Sequence, residues 1–317
     1  MPRQRNRHAS TVVNGLLCVF GGRDVADALI AEVDCYDSAT NTWSTPTSLP
    51  AERQVSDFTA FTDVKTSVVN LVAGFDSNYT ALDTVTMVDM SDMENISFSN
   101  GPSLKGERGD IDSAIVDSRY VYVSGGYTHS NSYLDTVEVF DMETSTWSDV
   151  DALNQERGEK QLVSLNGKIF ALGGVVFEEE IPELGAQSVV LDTVESLHLE
   201  DDVPLWEKNA DMPEQLFRFA AVAWKDEAED VEEGDHDHEH GYIFVFGGQV
   251  GYDADCKCFR TTDHVMVMDL SLLVDSGHLA DHDHAAEASG ATIVRNSWAP
   301  FSLIAGGLVW IAVASAI

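Results

Sequence analysis

The stretch Val121-Tyr122-Val123-Ser124-Gly125-Gly126 decides the fold, because its pattern, an apolar run that ends in a double glycine, recurs along the chain. Further copies stand at residues 17–22, 169–174 and 243–248, and a degenerate copy with one glycine stands at 71–74. The second glycines, at positions 22, 74, 126, 174 and 248, are separated by 52, 52, 48 and 74 residues. A period near fifty residues predicts supersecondary units that are stacked or arranged around an axis.

Other residues recur together with the glycines. The tetrad Leu-Asp-Thr-Val occurs at residues 82–85, 134–137 and 191–194. Trp43 and Trp147 each follow the second glycine of their repeat by 21 residues, and Trp206 follows Gly174 by 32. An arginine precedes each of the five copies: Arg7, Arg53, Arg108, Arg157 and Arg218.

This combination of arginine, apolar run, double glycine and tryptophan resembles the kelch repeat from about Arg7 to about Leu270. The resemblance implies a β-propeller whose blades are four-stranded antiparallel sheets around a central channel. The residues agree, because the runs are rich in Val, Ile, Phe and Tyr and are bounded by turn residues, which favours short strands. We therefore expect an all-β, kelch-type β-propeller of about five four-stranded blades. The fifth repeat carries no tryptophan strand in sequence, so we expect an imperfectly closed ring.

The sequence divides into three parts. We assign residues 1–275 to the propeller, 276–300 to a flexible linker and 301–317 to a hydrophobic helix that is a membrane span or an anchor signal. A chain of 317 residues with 44% hydrophobic content leaves no room for a second catalytic domain beside five repeats. The expected repeats lie near residues 7–48, 53–100, 108–150, 157–209 and 217–275.

Each recurring residue has an expected structural role. Glycine after a strand permits a backbone with positive φ or a close approach that a side chain would block. The glycines expected to do so are Gly21, Gly22, Gly74, Gly125, Gly126, Gly173, Gly174, Gly247 and Gly248. We expect Trp43, Trp147 and Trp206 to pack between adjacent blades, where their large area joins neighbouring sheets into one core. The repeat arginines either line the channel or bind backbone carbonyls and carboxylates within the structure.

The net charge of −36, from 54 acidic and 18 basic side chains, argues against a nucleic-acid partner. An acidic surface that keeps the protein soluble explains this charge, and a site for basic partners is the alternative.

Residues 226–241 form an insertion of sixteen residues with nine carboxylates and three histidines, which cannot bury a core. His236, His238 and His240 alternate with acidic residues, so a divalent metal is one interpretation of this loop. A solvated acidic loop is the other, because histidines on a flexible loop lack supporting contacts. We expect no other cofactor.

The C-terminal residues 301–317 carry no charge, and seventeen such residues reach the lower bound for a membrane helix. The small triplet at residues 289–291, a nine-residue spacer and this tail have the arrangement of a glycolipid (GPI) anchor signal, with Ser289 as the attachment residue. A retained membrane helix is the alternative. Residues 1–7 lead into the first repeat without an apolar leader, so a secretory route requires sequence further upstream.

Cysteines and sequons bear on the compartment. If Gly21 faces Glu32 across the first hairpin, Cys18 faces Cys35, and the two either form a disulfide or pack as small core residues. Asn78 and Asn95 begin glycosylation sequons in expected loops.

The resemblance favours a non-catalytic propeller that binds a protein or glycan while attached to a membrane, probable site the cell surface. A tail-anchored cytoplasmic adaptor on an internal membrane is the alternative. A sugar-acting enzyme, an oxidase or a sialic acid epimerase, is the third hypothesis, and we find no catalytic motif for it.

Overall fold

The computed structural model describes residues 1–128, 132–177, 188–200, 204–225, 241–253, 258–270 and 298–300. These residues form an all-β propeller of five four-stranded antiparallel blades, as the sequence predicted. The histidine loop, Ser289 and the hydrophobic tail 301–317 lie outside the described residues.

The strands of the first three blades follow one another along the chain without long interruptions. Blade 1 contains β1 (Ala9–Val13), β2 (Leu16–Phe20), β3 (Glu32–Asp37) and β4 (Thr42–Ser48). Blade 2 contains β5 (Thr59–Asp63), β6 (Val68–Val72), β7 (Val85–Asp89) and β8 (Ser97–Asn100). Blade 3 contains β9 (Asp112–Val116), β10 (Tyr120–Ser124), β11 (Val137–Asp141) and β12 (Thr146–Val150). A short 3-10 helix, Ala51–Arg53, joins blades 1 and 2.

Blades 4 and 5 each carry an additional two-stranded sheet. Blade 4 contains β13 (Gln161–Leu165), β14 (Lys168–Leu172), β17 (Val194–His198) and β18 (Trp206–Lys208), with β15 (Val175–Phe177) and β16 (Ser188–Val190) beside it. Blade 5 contains β19 (Ala220–Lys225), β20 (Gly241–Phe246), β23 (Val265–Asp269) and β24 (Trp298–Pro300), with β21 (Gln249–Asp253) and β22 (Cys258–Thr261) beside it.

The blades are ordered around the axis as they are in sequence. The first strands of consecutive blades, β1, β5, β9, β13 and β19, contact one another in turn and form the inner wall. Hydroxyl groups join neighbouring inner strands, as between Thr11 and Thr62 at 2.9 Å and between Thr59 and Ser113 at 2.7 Å. The buried apolar clusters lie mainly between blades, since Phe20 and Cys18 of blade 1 pack with Leu71 of blade 2.

The double glycines connect each blade to the next. The N–H of Gly126 donates to the carbonyl of Arg157 at 2.9 Å, and the N–H of Gly174 donates to that of Leu216 at 2.8 Å. Gly126 has φ +106, and a Cβ there would lie 2.6 Å from the carbonyl oxygen of Gly109. A glycine is therefore required at this position both by the backbone angle and by the close approach.

Three buried arginines brace their own blades. Arg157 is buried, donates to the carbonyls of Gly173 and Thr193 at 2.9 and 3.0 Å, and pairs with buried Glu195 at 2.5 Å. Arg108 makes the same set of contacts with Glu138, and Arg5 makes them with Asp34. In blade 1 the bracing arginine is therefore Arg5, two residues before the arginine that the repeats suggested.

Blades 2 and 5 replace both members of this pair. In blade 2, Val55 occupies the arginine position and Thr86 the carboxylate position, and in blade 5 the two residues are Leu216 and Met266. Neither blade keeps one charge without its partner, as the cost of an uncompensated buried charge requires.

The tryptophans occupy one register position in the outer strands. Trp147 and Trp206 lie in the clusters between blades 2 and 3 and between blades 3 and 4. Their indole N–H groups donate to the carbonyls of Pro102 and Asp151, both at 2.9 Å. Trp43 instead contacts Tyr36 of its own blade, with ring centroids 5.2 Å apart.

The fifth blade differs from the expectation for its last strand. Trp298 pairs with Met268, which is the register position that Phe140 and Trp147 occupy in blade 3. The tryptophan strand therefore exists, and it comes from residues 298–300, within the range that the sequence suggested as linker. A search limited to a spacing of 21 residues after the double glycine could not find it.

Cys18 and Cys35 form a disulfide between β2 and β3, with Cα atoms 4.0 Å apart. The register pairs these two residues directly, as the expected hairpin required. Among the described residues, the structure contains no helix with the length and hydrophobicity that a membrane span needs.

We predict that Arg157→Val destabilises the protein by about 3–5 kcal/mol, because Glu195 is left buried without its counter-charge. Chemical denaturation of the purified chain measures this change. The matched control is R157V/E195T, which reproduces the pair found in blade 2 and should recover part of the loss. A double variant as unstable as the single variant would contradict this account.

Candidate functional site: the axial cavity

The five inner strands are each preceded by a bend with a left-handed backbone. The residues at these bends are Arg7, Asp57, Asp110, Glu159 and Arg218, with φ between 50 and 57°. The N–H groups of the last four donate to the carbonyl of the preceding bend residue, at 2.9, 2.8, 3.0 and 3.1 Å. These hydrogen bonds place one charged residue from each blade around the propeller axis, and we call the five residues the bend ring.

The bend ring lines a cavity of about 560 Å³ to which all five blades contribute. This volume lies within the range of typical ligand sites. The other lining residues are Asn6, His8, Asp27, Phe58, Ile111, Lys160, Gln161, Phe219 and Gln249. Four carboxylates therefore face three side-chain cations, not counting His8.

Ion pairs neutralise two carboxylates of the bend ring. Arg218 binds Glu159 through Nη2 to Oε1 at 2.7 Å and Nε to Oε2 at 2.5 Å. Arg7 lies 3.5 Å from Asp57, measured from Nε to Oδ1. In the described part of the chain, the carboxylate of Asp110 has neither a hydrogen-bond donor nor an ion-pair partner.

Burial and like charges disfavour ionisation of these carboxyl groups. Burial, reinforced by Glu159 and Asp57, raises the pKa of Asp110 well above its ordinary value. The pKa of Glu159 is raised as well, mainly by burial, although Arg218 opposes the shift. The cavity therefore concentrates negative charge that the protein only partly compensates.

Two further titratable groups lie beside the ring. Burial, together with the charge of Arg5, lowers the pKa of His8 to about 4, so the imidazole is neutral at physiological pH. Burial lowers the pKa of Lys160 to about 7, while nearby Asp112 opposes the shift. The Lys160 ammonium donates to the Ser124 carbonyl at 2.5 Å, which ties the start of β13 to blade 3.

Aromatic side chains from the loops of blades 2 to 4 border the ring. Tyr127 and Tyr133 have ring centroids 5.1 Å apart, and both contact Phe177, at 5.8 and 4.9 Å. Phe75 adjoins Tyr127 at 6.5 Å. The charges of Asp110 and Glu159 contribute to a raised pKa of Tyr133, behind burial, so this ring lies near the carboxylates.

Glycines make room for these aromatic rings directly before the acidic bends. A Cβ on Gly158 would lie 2.7 Å from Cε1 of Tyr133, and a Cβ on Gly109 would lie 2.2 Å from Cε2 of Phe75. The residues that follow these glycines are Glu159 and Asp110. The backbone therefore lets an aromatic ring of the preceding blade approach each of the two carboxylates.

The sequence identified only part of this site. Of the repeat arginines, Arg7 and Arg218 line the cavity, whereas Arg108 and Arg157 are buried within blades. Arg53 binds the carbonyl of Ser99 at the outer strand of blade 2. The three acidic bend residues were missed, although Asp110 and Glu159 each stand two positions after a bracing arginine.

No metal centre is evident in the described residues, since no three His, Cys, Asp or Glu side chains lie close enough together to hold an ion. The candidate ligands His236, His238 and His240 lie outside those residues. Asn78 and Asn95 are exposed in turns, where a glycan would meet no steric obstacle.

The family model described as the KLHDC2/KLHL20/DRC7 Kelch-repeats domain matches residues 1–174. The chain belongs to the kelch-repeat family. Its blades, double glycines and tryptophan strands are those of a kelch propeller, and kelch propellers bind protein partners.

Several kelch proteins are similar to parts of this chain. Alpha-scruin of Limulus polyphemus is 28% identical over 181 residues, which is 54% of this chain and 19% of alpha-scruin. Kelch-like protein 40 of Xenopus laevis is 35% identical over 72 residues, which is 22% of this chain and 12% of that protein. The chain thus spans no more than a fifth of the length of either relative.

A solved structure titled "Structure of YjhT" superposes on this kelch propeller with a TM-score of 0.63. The superposition covers 83% of this chain and 81% of the other, at 12% sequence identity. The likeness shows a common fold.

We predict that Gly158→Ala destabilises the propeller by about 1–3 kcal/mol, because its methyl group collides with Tyr133. Thermal unfolding measures the loss, and G158A/Y133A should restore part of it by removing the obstructing ring. Gly106→Ala is the matched control, since a Cβ there meets nothing within 4 Å. Equal losses in both alanine variants would show that the ring is not what Gly158 accommodates.

Proposed function

We propose that this chain is a non-catalytic kelch propeller whose protein partner docks on the face that contains the axial cavity and its aromatic border. The observation that carries the proposal is the convergence of charged side chains from all five blades on one cavity. Burial of aromatic side chains such as Tyr127 and Tyr133 is a common source of binding energy at protein interfaces. The partially neutralised carboxylates add selectivity for charge.

The names of similar proteins support binding over catalysis. The family model and the relatives are kelch proteins that carry the name of the repeat or of scruin, and none is named for a reaction. A glycan is the alternative ligand for the same face, because aromatic rings also stack on sugars.

A sugar-acting enzyme is the second candidate, and one observation favours it. Carboxyl groups with raised pKa values in a cavity, such as Asp110 and Glu159, are suited to proton transfer. Turnover of a hexose or a sialic acid by the purified chain, lost on E159Q, would establish this function instead.

We further propose that the propeller is attached to a membrane at the cell surface, with a tail-anchored adaptor as the alternative. The disulfide between Cys18 and Cys35 and the exposed sequons at Asn78 and Asn95 support an oxidising, glycosylating compartment. The uncharged sequence of residues 301–317 supports the attachment.

We predict that a phospholipase that cleaves glycolipid anchors releases the propeller from intact cells, because the tail serves as an anchor signal. Immunoblotting of the medium measures release, and an enzyme-resistant transmembrane protein is the control. Asn78→Gln should also increase electrophoretic mobility by the mass of one glycan. Protection of an unglycosylated propeller from external protease would instead place it in the cytosol.

We predict that a photo-crosslinking amino acid at Ser132 captures the protein partner, because this exposed residue precedes Tyr133 at the border of the cavity face. The same amino acid at Thr144 is the matched control, since this exposed residue lies at the other end of β11 in the same blade. Mass spectrometry of the adducts measures capture. Equal adducts at both sites, or adducts only at Thr144, would refute docking at the cavity.

A further inference from the structure

We propose that the protein partner inserts one lysine or arginine side chain into the axial cavity, where its cation pairs with Asp110. This inference rests on the proposed function, since it specifies the chemistry of the partner at the same site.

The charges of the bend ring leave one carboxylate uncompensated. Two of its three carboxylates have an arginine partner, Glu159 with Arg218 and Asp57 with Arg7. Asp110 lies between Asp57 and Glu159 in the order of the ring, and its carboxylate has no partner in the described structure. A single positive charge supplied from outside would balance the ring.

A buried oxygen without a hydrogen bond gives independent support. The side chain of Asp57 is only 5% exposed, lines the cavity and lies next to Asp110 in the ring. Its Oδ1 faces Arg7, but its Oδ2 has no hydrogen-bond partner. A buried carboxylate oxygen without a donor is costly, and an incoming ammonium or guanidinium carries several donors.

The border of the cavity suits an organic cation. Tyr127 and Tyr133 lie close enough to Asp110 that its charge raises their pKa values, an effect secondary to their burial. Aromatic faces attract lysine and arginine side chains through the ring quadrupole, and their edges contact the alkyl stem. The protein already uses this contact on the same face, where the guanidinium carbon of Arg23 lies 3.8 Å from the ring centroid of Tyr79.

A bare metal ion fits the site less well than a side chain. The described carboxylates do not come together as three ligands of one ion, and the cavity of about 560 Å³ accommodates a larger group. An acidic partner would meet the carboxylates directly, since the two arginines of the ring are already engaged. The arrangement therefore selects a basic side chain.

The first test needs no ligand and compares Asp110→Asn with Asp117→Asn by thermal unfolding. Both residues have left-handed backbones, with φ 54 and 53°, which asparagine tolerates, and they flank β9 at opposite ends. We expect D110N to raise the melting temperature, since it removes an uncompensated charge, and D117N to leave it unchanged. A lower melting temperature for D110N at neutral pH would overturn the claim that Asp110 lacks a partner.

The pH dependence of this stabilisation has a defined sign. Because the folded-state pKa of Asp110 is raised, its ionisation costs stability above the unfolded pKa of about 4 and costs none below it. The gain from D110N should therefore appear as the pH rises above about 4. The groups that face Asp110 are Glu159, Asp57, Arg218, Arg7 and Lys160, and they are the same in both proteins.

The second test selects peptides from a displayed library of random dodecamers on the immobilised full-length chain. We expect the selected peptides to share one lysine or arginine, and replacement of that residue by norleucine or glutamine to weaken binding at least tenfold. Titration calorimetry should show a similar loss with D110N and less than a twofold change with D117N.

The outcomes separate this inference from the proposed function. Peptides that crosslink to the Ser132 face but bind D110N as tightly as the unchanged chain would overturn the cation site and leave protein binding intact. Selected peptides that bind away from that face would contradict the proposed function as well.

Discussion

The hydrogen bond from the second glycine of one blade to the carbonyl just before the next bend holds the propeller together. It links Gly22 to Val55, Gly74 to Arg108, Gly126 to Arg157 and Gly174 to Leu216. The donor can come this close only because the residue has no side chain and accepts a positive φ. The same bond fixes the residue two positions later, so the chain that joins two blades also builds the wall of the cavity.

The charged centre follows from that constraint. A blade can satisfy its own buried charges internally, as Arg157 does with Glu195. The bend residues cannot, because their backbone hydrogen bonds fix them in a ring with neighbours from other blades. Arg218 and Glu159 find each other across a blade boundary, whereas Asp110 has an acidic residue on either side. The structure thus separates charges that stabilise blades from charges that remain available at the axis.

The sequence predicted the fold well because the signals for a propeller are local. Double glycines and β-branched runs of fixed length determine strands and turns, and the cysteines of blade 1 faced each other once the hairpin register was known. The cavity was harder to predict, since its members are far apart in sequence and differ between repeats. Asp57, Asp110 and Glu159 become comparable only after the bends are superposed, and Arg5 was missed because Arg7 stood nearer the expected position.

The remote fourth strand of the fifth blade has a consequence for assembly. In blade 3, β11 and β12 are joined by residues 142–145, whereas β23 and β24 are separated by residues 270–297. Closing the longer connection costs about 2 kcal/mol more in chain entropy. We therefore expect β24 to join its blade late in folding and to leave it first under force or heat. While it is away, β23 is an open edge, at which an identical segment from another molecule could take its place by strand exchange.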